Sequence, residues 1–182
     1  KSNLVLRDLD LLQSINKKAK AVVQMTLTTY DEELCRKLEP NVSTTRERFE
    51  VLMRCKEFGI PTFVWMTPIL PFINDTRENI EGLLDYCLQA GVQGILVFDV
   101  GVTLREGDRE YFYQALDRDF PGIRQKYVST YGNAYDIPSP YAKELMTLIQ
   151  NTCTANGILC SPKECFTYLH EFPERYVQQT LF

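Results

Sequence analysis

Leu6, Leu9, Leu12, Ile15 and Ala19 recur at three- and four-residue spacing, which predicts a helix with one apolar face at the start of the chain. The run AVVQMTLT, residues 21–28, then reads as a strand. DEELCRKLEP predicts a short helix stopped by Pro40, and STTRERFEVLMRCKEFG a longer one, with Thr44 and Glu47 at capping-box spacing and Gly59 as its stop. PTFVWMTPI reads as a second strand. Asp75 and Glu78 repeat the capping-box spacing ahead of Ile80, Leu83, Leu84, Cys87 and Leu88, the buried stripe of a helix ended by Gly91. GILVFDV is the third strand.

Each strand is a nearly continuous apolar run, separated from the next by helix. That pattern belongs to a parallel sheet covered by helices, because burial on both faces removes the alternation of a half-exposed strand. After Gly101 the pattern turns helical and polar through DREYFYQALDRDF, GIRQKYVSTYG and SPYAKELMTLIQNTC, with no fourth strand expected. In parallel α/β folds ligands sit at the carboxyl ends of the strands. Here those ends are polar: Thr26, Thr28 and Thr29 after the first, Thr67, Asn74 and Asp75 after the second, and Asp99, Thr103 and Arg105 after the third. Each Thr or Asp is equally well read as the cap of a following helix.

Composition narrows the picture. The 182 residues, 45% apolar and 12% aromatic, suit one core of ordinary size. A formal charge of -4 and a pI near 5.1 argue against a strongly nucleic-acid-binding surface, although KKAK at Lys17–Lys20 makes a local basic run. The aromatic residues Tyr111, Phe112, Tyr113, Tyr127, Tyr131, Tyr135 and Tyr141 suit helix packing better than base stacking. With no apolar run near eighteen residues and no signal-peptide pattern, a soluble cytoplasmic protein without membrane partners is expected. Cys35, Cys55 and Cys87 lie singly in helical patterns, as reduced buried thiols do. Cys160 and Cys165 form a C-x4-C pair, with Cys153 upstream and His170 downstream. Structural zinc needs a second pair, so thiols around a C-terminal helix are the expectation and no metal ligand is assigned.

Several segments together carry a family resemblance: the opening KSNLVLRDLDLL, TLTT followed by LEP, TTRERFEVL, the turn PILPFIND, and GVTLREGDREYFYQALDRDFPG. The chain resembles the later half of a radical S-adenosylmethionine enzyme, most closely the spore photoproduct lyase-like proteins also called DNA repair photolyase-like. The resemblance implies an α/β fold, a partial (βα) barrel of which this chain holds about three parallel strands with their covering helices. Residues 1–132 would form the C-terminal half of that barrel and residues 133–182 a helical extension packed on it. It implies S-adenosylmethionine and a [4Fe-4S] cluster as cofactors of the full-length protein, which together generate a 5′-deoxyadenosyl radical. Lys1 and Thr26 match positions that meet the polar groups of S-adenosylmethionine, Thr67 matches a backbone contact, and Arg48 and Asn74 are lesser candidates. MTPILPFIND would form one wall of the adenosine pocket.

The chain departs from that family in one decisive respect. Three cysteines spaced C-x3-C-x2-C must converge on the cluster, and no such triplet is present. A fragment lacking it is expected to be inactive, with its upstream barrel half as the natural partner; the start at Lys1 fits an omitted first half. DNA as substrate rests on the resemblance alone. The alternative is a non-catalytic βα scaffold or interaction module. A hydrolase using carboxylates at strand ends, Glu39, Asp75 and Asp99, is a third reading in which no general acid is identifiable. In any of these, residues 21–28 would form a sheet edge prone to self-association.

Overall fold

The computed structural model describes residues 1–172 of the chain. It is a mixed α/β fold around a three-stranded parallel sheet of order β1-β2-β3: Val23–Thr26, Thr62–Trp65 and Gly94–Leu96. Ser2 caps a 3₁₀ helix, Asn3–Asp8, that continues into α1, Leu9–Lys18. Between β1 and β2 lie α2, Glu32–Leu38, and α3, Thr45–Glu57; α4, Arg77–Ala90, joins β2 to β3.

Local chemistry accounts for these boundaries. Thr44 accepts the amide of Glu47 while Glu47 accepts the amide of Thr44, so the expected capping box starts α3. The cap of α4 differs from expectation: Thr76, not Asp75, accepts from the Asn79 amide. Gly91 ends α4 in the left-handed conformation that a side chain would disfavour.

The strands are shorter than their apolar runs, because the residues flanking them pack as loops against the helices. Met25, Val64 and Ile95, in register on one face, join Phe49, Leu52, Ile80, Leu83 and Ile149 in the main core. Each fully buried side chain of this kind stabilises the fold by roughly 1.5–3 kcal/mol. The other face carries Phe63 and Leu96, which pack on Cys165 of α8, Pro162–His170. Gly94 makes room there, since a Cβ would lie 2.3 Å from the Phe63 ring.

Two features correct the expected purely helical C-terminal third. An antiparallel pair forms between β4, Gly101–Thr103, and β5, Asp136–Pro138. In addition, Leu159 bridges Gly94 in parallel, adding a single-residue stub beside β3. Between β4 and β5 lie α5, Asp108–Asp119, and α6, Ile123–Tyr131, and α7, Ala142–Asn156, follows. Tyr113, Leu116, Tyr127 and Ile137 make a second small core with Phe72 of the turn after β2, so the aromatic residues of this region are mainly packing groups. Residues 173–182 of the expected extension lie outside the described residues. No helix among the described residues is long and apolar enough to cross a membrane.

Candidate functional site

The carboxyl edge of the sheet brings together four of the five residues singled out in the sequence, in two groups. The first surrounds the end of β1. Arg48 on α3 is fully buried, and its Nη1 donates to the Thr26 carbonyl at 3.1 Å and pairs with Glu39 at 2.6 Å. Lys1 pairs with the other oxygen of Glu39. Burial disfavours the Glu39 carboxylate, yet the two cations outweigh it and hold its pKa below the usual carboxylate value. Arg48 Nε and Nη2 have no acceptor among the described residues. Buried guanidinium donors are rarely left so, which marks this as an unfinished polar cluster.

The position of Thr26 explains the geometry. Val23 and Leu27 donate to β2, at Pro61 and Trp65, so the intervening Gln24 and Thr26 direct their backbone groups to the opposite, unpaired edge. Arg48 therefore covers the Thr26 carbonyl that a further strand would otherwise use.

The second group lines a cleft of about 480 Å³ at the ends of β2 and β3, between them and the β4-β5 pair. Thr67, cis-Pro68, Phe98 and Asp99 form one side, and Thr103 and Asp136 the other. Phe98 is 56% exposed, with its ring 6.1 Å from Trp65 and 6.4 Å from Phe166. An exposed aromatic beside two exposed carboxylates offers a stacking surface and a negative field in one place.

Asn74 has a different setting. It is 2% exposed, and its Oδ1 accepts from the Leu70 amide at 2.6 Å while its Nδ2 donates to the Thr28 carbonyl and Thr29 Oγ1 at 2.9 and 3.0 Å. Its side chain fastens the PILPFIND turn to the loop after β1. Asn79, which the sequence reading missed, extends the staple by donating to Thr28 and Asn74 carbonyls and accepting from the Tyr30 amide. A poor helix former in an otherwise apolar stripe was the available signal.

The carboxylates of the hydrolase reading are dispersed among separate partners. Glu39 holds Lys1 and Arg48, Asp75 accepts from Ser139 Oγ at 2.5 Å, and Asp99 accepts from its neighbour's amide at 2.7 Å. Burial pushes the Asp75 carboxyl up despite the Ser139 bond. Asp136 on β5, also absent from the sequence reading, is the residue that accompanies Asp99 at the cleft.

The cysteines do not fit a [4Fe-4S] cluster. All six are free and, among the described residues, no three His, Cys, Asp or Glu side chains converge as metal ligands. The polar cluster at β1 and the cleft at β2 and β3 present buried cationic donors, two carboxylates and an exposed aromatic ring along one edge of the sheet.

No family model matches the chain. It is similar to an uncharacterized protein of Mycobacterium tuberculosis, 29% identical over 145 residues that make up 80% of this chain and 42% of the relative. An uncharacterized protein of the Acidianus two-tailed virus is 31% identical over 98 residues, 52% of this chain and 32% of the viral protein. One from Methanocaldococcus jannaschii is 32% identical over 80 residues, 44% and 30% of the two chains. The chain thus spans about two-fifths of the mycobacterial relative's length.

Proposed function

We propose that this chain is the carboxyl-terminal half of a radical S-adenosylmethionine enzyme of the spore photoproduct lyase-like type, and that its sheet edge holds the adenosyl part of the cofactor. One observation carries the reading: among the described residues the parallel sheet is unpaired along β1, with two acceptor-less Arg48 donors at the carboxyl end of that edge. The sheet is what a barrel half would leave when its neighbouring strands are contributed by another segment. The mycobacterial relative is longer than this chain, a length that leaves room for such a segment.

In this reading Arg48 and Lys1 provide cationic donors for the amino-acid carboxylate of S-adenosylmethionine, with Thr26 beside them. Thr67 and Phe98 bound the adenine and ribose. Asp99 and Asp136 favour a ligand that carries positive charge, as the sulfonium does. The cluster, which would supply the electron for reductive cleavage, belongs to the upstream half, and a cytoplasmic setting suits so reducing a centre. Asn74 shapes the wall from behind.

The test is chemical. A polypeptide carrying this chain with its upstream half, reconstituted anaerobically, should contain iron and acid-labile sulfide and release 5′-deoxyadenosine from S-adenosylmethionine, whereas this chain alone should release none. Release by this chain alone, or a longer polypeptide devoid of iron, would refute the assignment. The second outcome favours the alternative, a non-catalytic scaffold that recruits partners or a second copy through β1, which the same unpaired edge also suits. Neither reading includes a nucleic-acid surface on this chain.

A further inference from the structure

Helix α1 has a second apolar side. Its inward side is fixed by Leu9 and Leu12, which pack on the main core, and by Gln13 Nε2 and Asn16 Nδ2, which donate to the Phe58 and Gly59 carbonyls at 3.0 Å each. At spacings of three and four these residues share one face and set the rotation of the helix. Ile15, which the sequence pattern assigned to the inward stripe, is left 41% exposed, and Leu11 is 62% exposed. A helix with one buried stripe is expected to be polar opposite it. Here leucine and isoleucine stand there.

The flanking charges give this side its meaning. Asp8 stands three residues before Leu11 and the exposed Lys18 three after Ile15, so the face runs Asp8, Leu11, Ile15, Lys18. That alternation of three and four is the spacing of a coiled-coil seam. Leu11 and Ile15 lie two residues to either side of position 13, about 3 Å along the axis, and Asp8 and Lys18 five residues, about 7.5 Å. A two-fold axis at that point, with the helices antiparallel, sets Leu11 against the partner's Ile15 and Asp8 against the partner's Lys18, and repeats both contacts on its other side. Arg7 already donates to both Asp8 carboxylate oxygens at 3.1 Å, but the pair is solvent-exposed and contributes little alone. A non-identical partner would need no such symmetry, whereas a second copy does.

We propose that α1 is a self-association surface whose occupant is α1 of a second copy of this chain, antiparallel about a two-fold axis. Leu11 and Ile15 form the apolar centre, and the two Asp–Lys layers fix direction and register. A parallel pairing would set Asp8 against Asp8 and Lys18 against Lys18. A helix of ten residues offers less than the roughly 800 Å² per partner of a standard interface, so the dimer is weak and forms at high protein concentration. It involves no residue of β1 and is independent of S-adenosylmethionine.

Sedimentation velocity of the whole chain over a range of concentrations tests this by charge complementation. Asp8 makes no capping bond to α1 and Lys18 is exposed, so Asp8→Lys and Lys18→Asp should both fold, which circular dichroism checks. Each variant alone places like charges in both layers and should dimerise about fivefold or more weakly than the unsubstituted chain. An equimolar mixture of the two restores opposite charges in both layers and should recover the dimer. Leu11→Glu should abolish it, and decides should a charge variant fail to fold. A monomer at every concentration, single variants that dimerise as well as the unsubstituted chain, or a mixture no better than its components would overturn the proposal. Association through the β1 edge would be equal in all these samples and so counts against it.

Discussion

Asn74 and Arg48 illustrate opposite uses of a buried polar side chain. Asn74 has both ends of its amide engaged, so it works as a structural clamp, whereas Arg48 has donors to spare. Replacing Asn74 with Ala strands the Leu70 amide and weakens the link to the β1 loop, and should destabilise the chain by about 2–3 kcal/mol. Chemical denaturation checks this, and a loss within experimental error would mean the turn holds itself. The residue scale was partly legible in the sequence. Polar groups after each strand were visible as a pattern, but which of them face a cleft and which face a neighbouring loop depends on contacts between distant segments. Thr67 and Asn74 stand seven residues apart in one turn and have unlike roles.

Elements defined by local chemistry were readable: the Thr44 capping box and the Gly91 stop lie within a few residues of the helices they delimit. The β4-β5 pair was not, because each strand has only three residues and its partner lies two helices away. Gly101 permits that pairing. A Cβ there would lie 2.5 Å from the Ile137 carbonyl oxygen and 2.9 Å from the Pro138 Cα, backbone atoms that cannot rotate aside. Gly101→Ala should therefore part the strands at a cost of roughly 1–3 kcal/mol. Amide exchange should accelerate at Leu104 and Ser139, whose amides donate across this pair to Tyr135 and Val100, and remain slow in β1, β2 and β3. Unchanged exchange at both amides would show that the pair tolerates the methyl group.

The described residues are asymmetric: helices cover both faces of the sheet, Leu159 touches the β3 side, and among these residues no strand lies beyond β1. That openness is common to both functional readings, and under either of them association through the edge is the expected outcome. Gln24→Pro removes an amide directed to the open edge and leaves the backbone bonds to β2 in place, losing only the side-chain bond that Gln24 Oε1 accepts from Trp65 Nε1 at 2.7 Å, so it should shift a sizing profile toward monomer while circular dichroism stays the same. An unchanged profile would assign any association to another surface. The central claim concerns the carboxyl edge and is tested most directly by nuclear magnetic resonance of this chain titrated with millimolar S-adenosylmethionine. Amide shifts confined to Thr26, Arg48, Thr67, Phe98 and Asp99 are expected, with weak saturation because the cluster is absent from this chain. Shifts centred on α7 and α8, or none at any of those five residues, would contradict it.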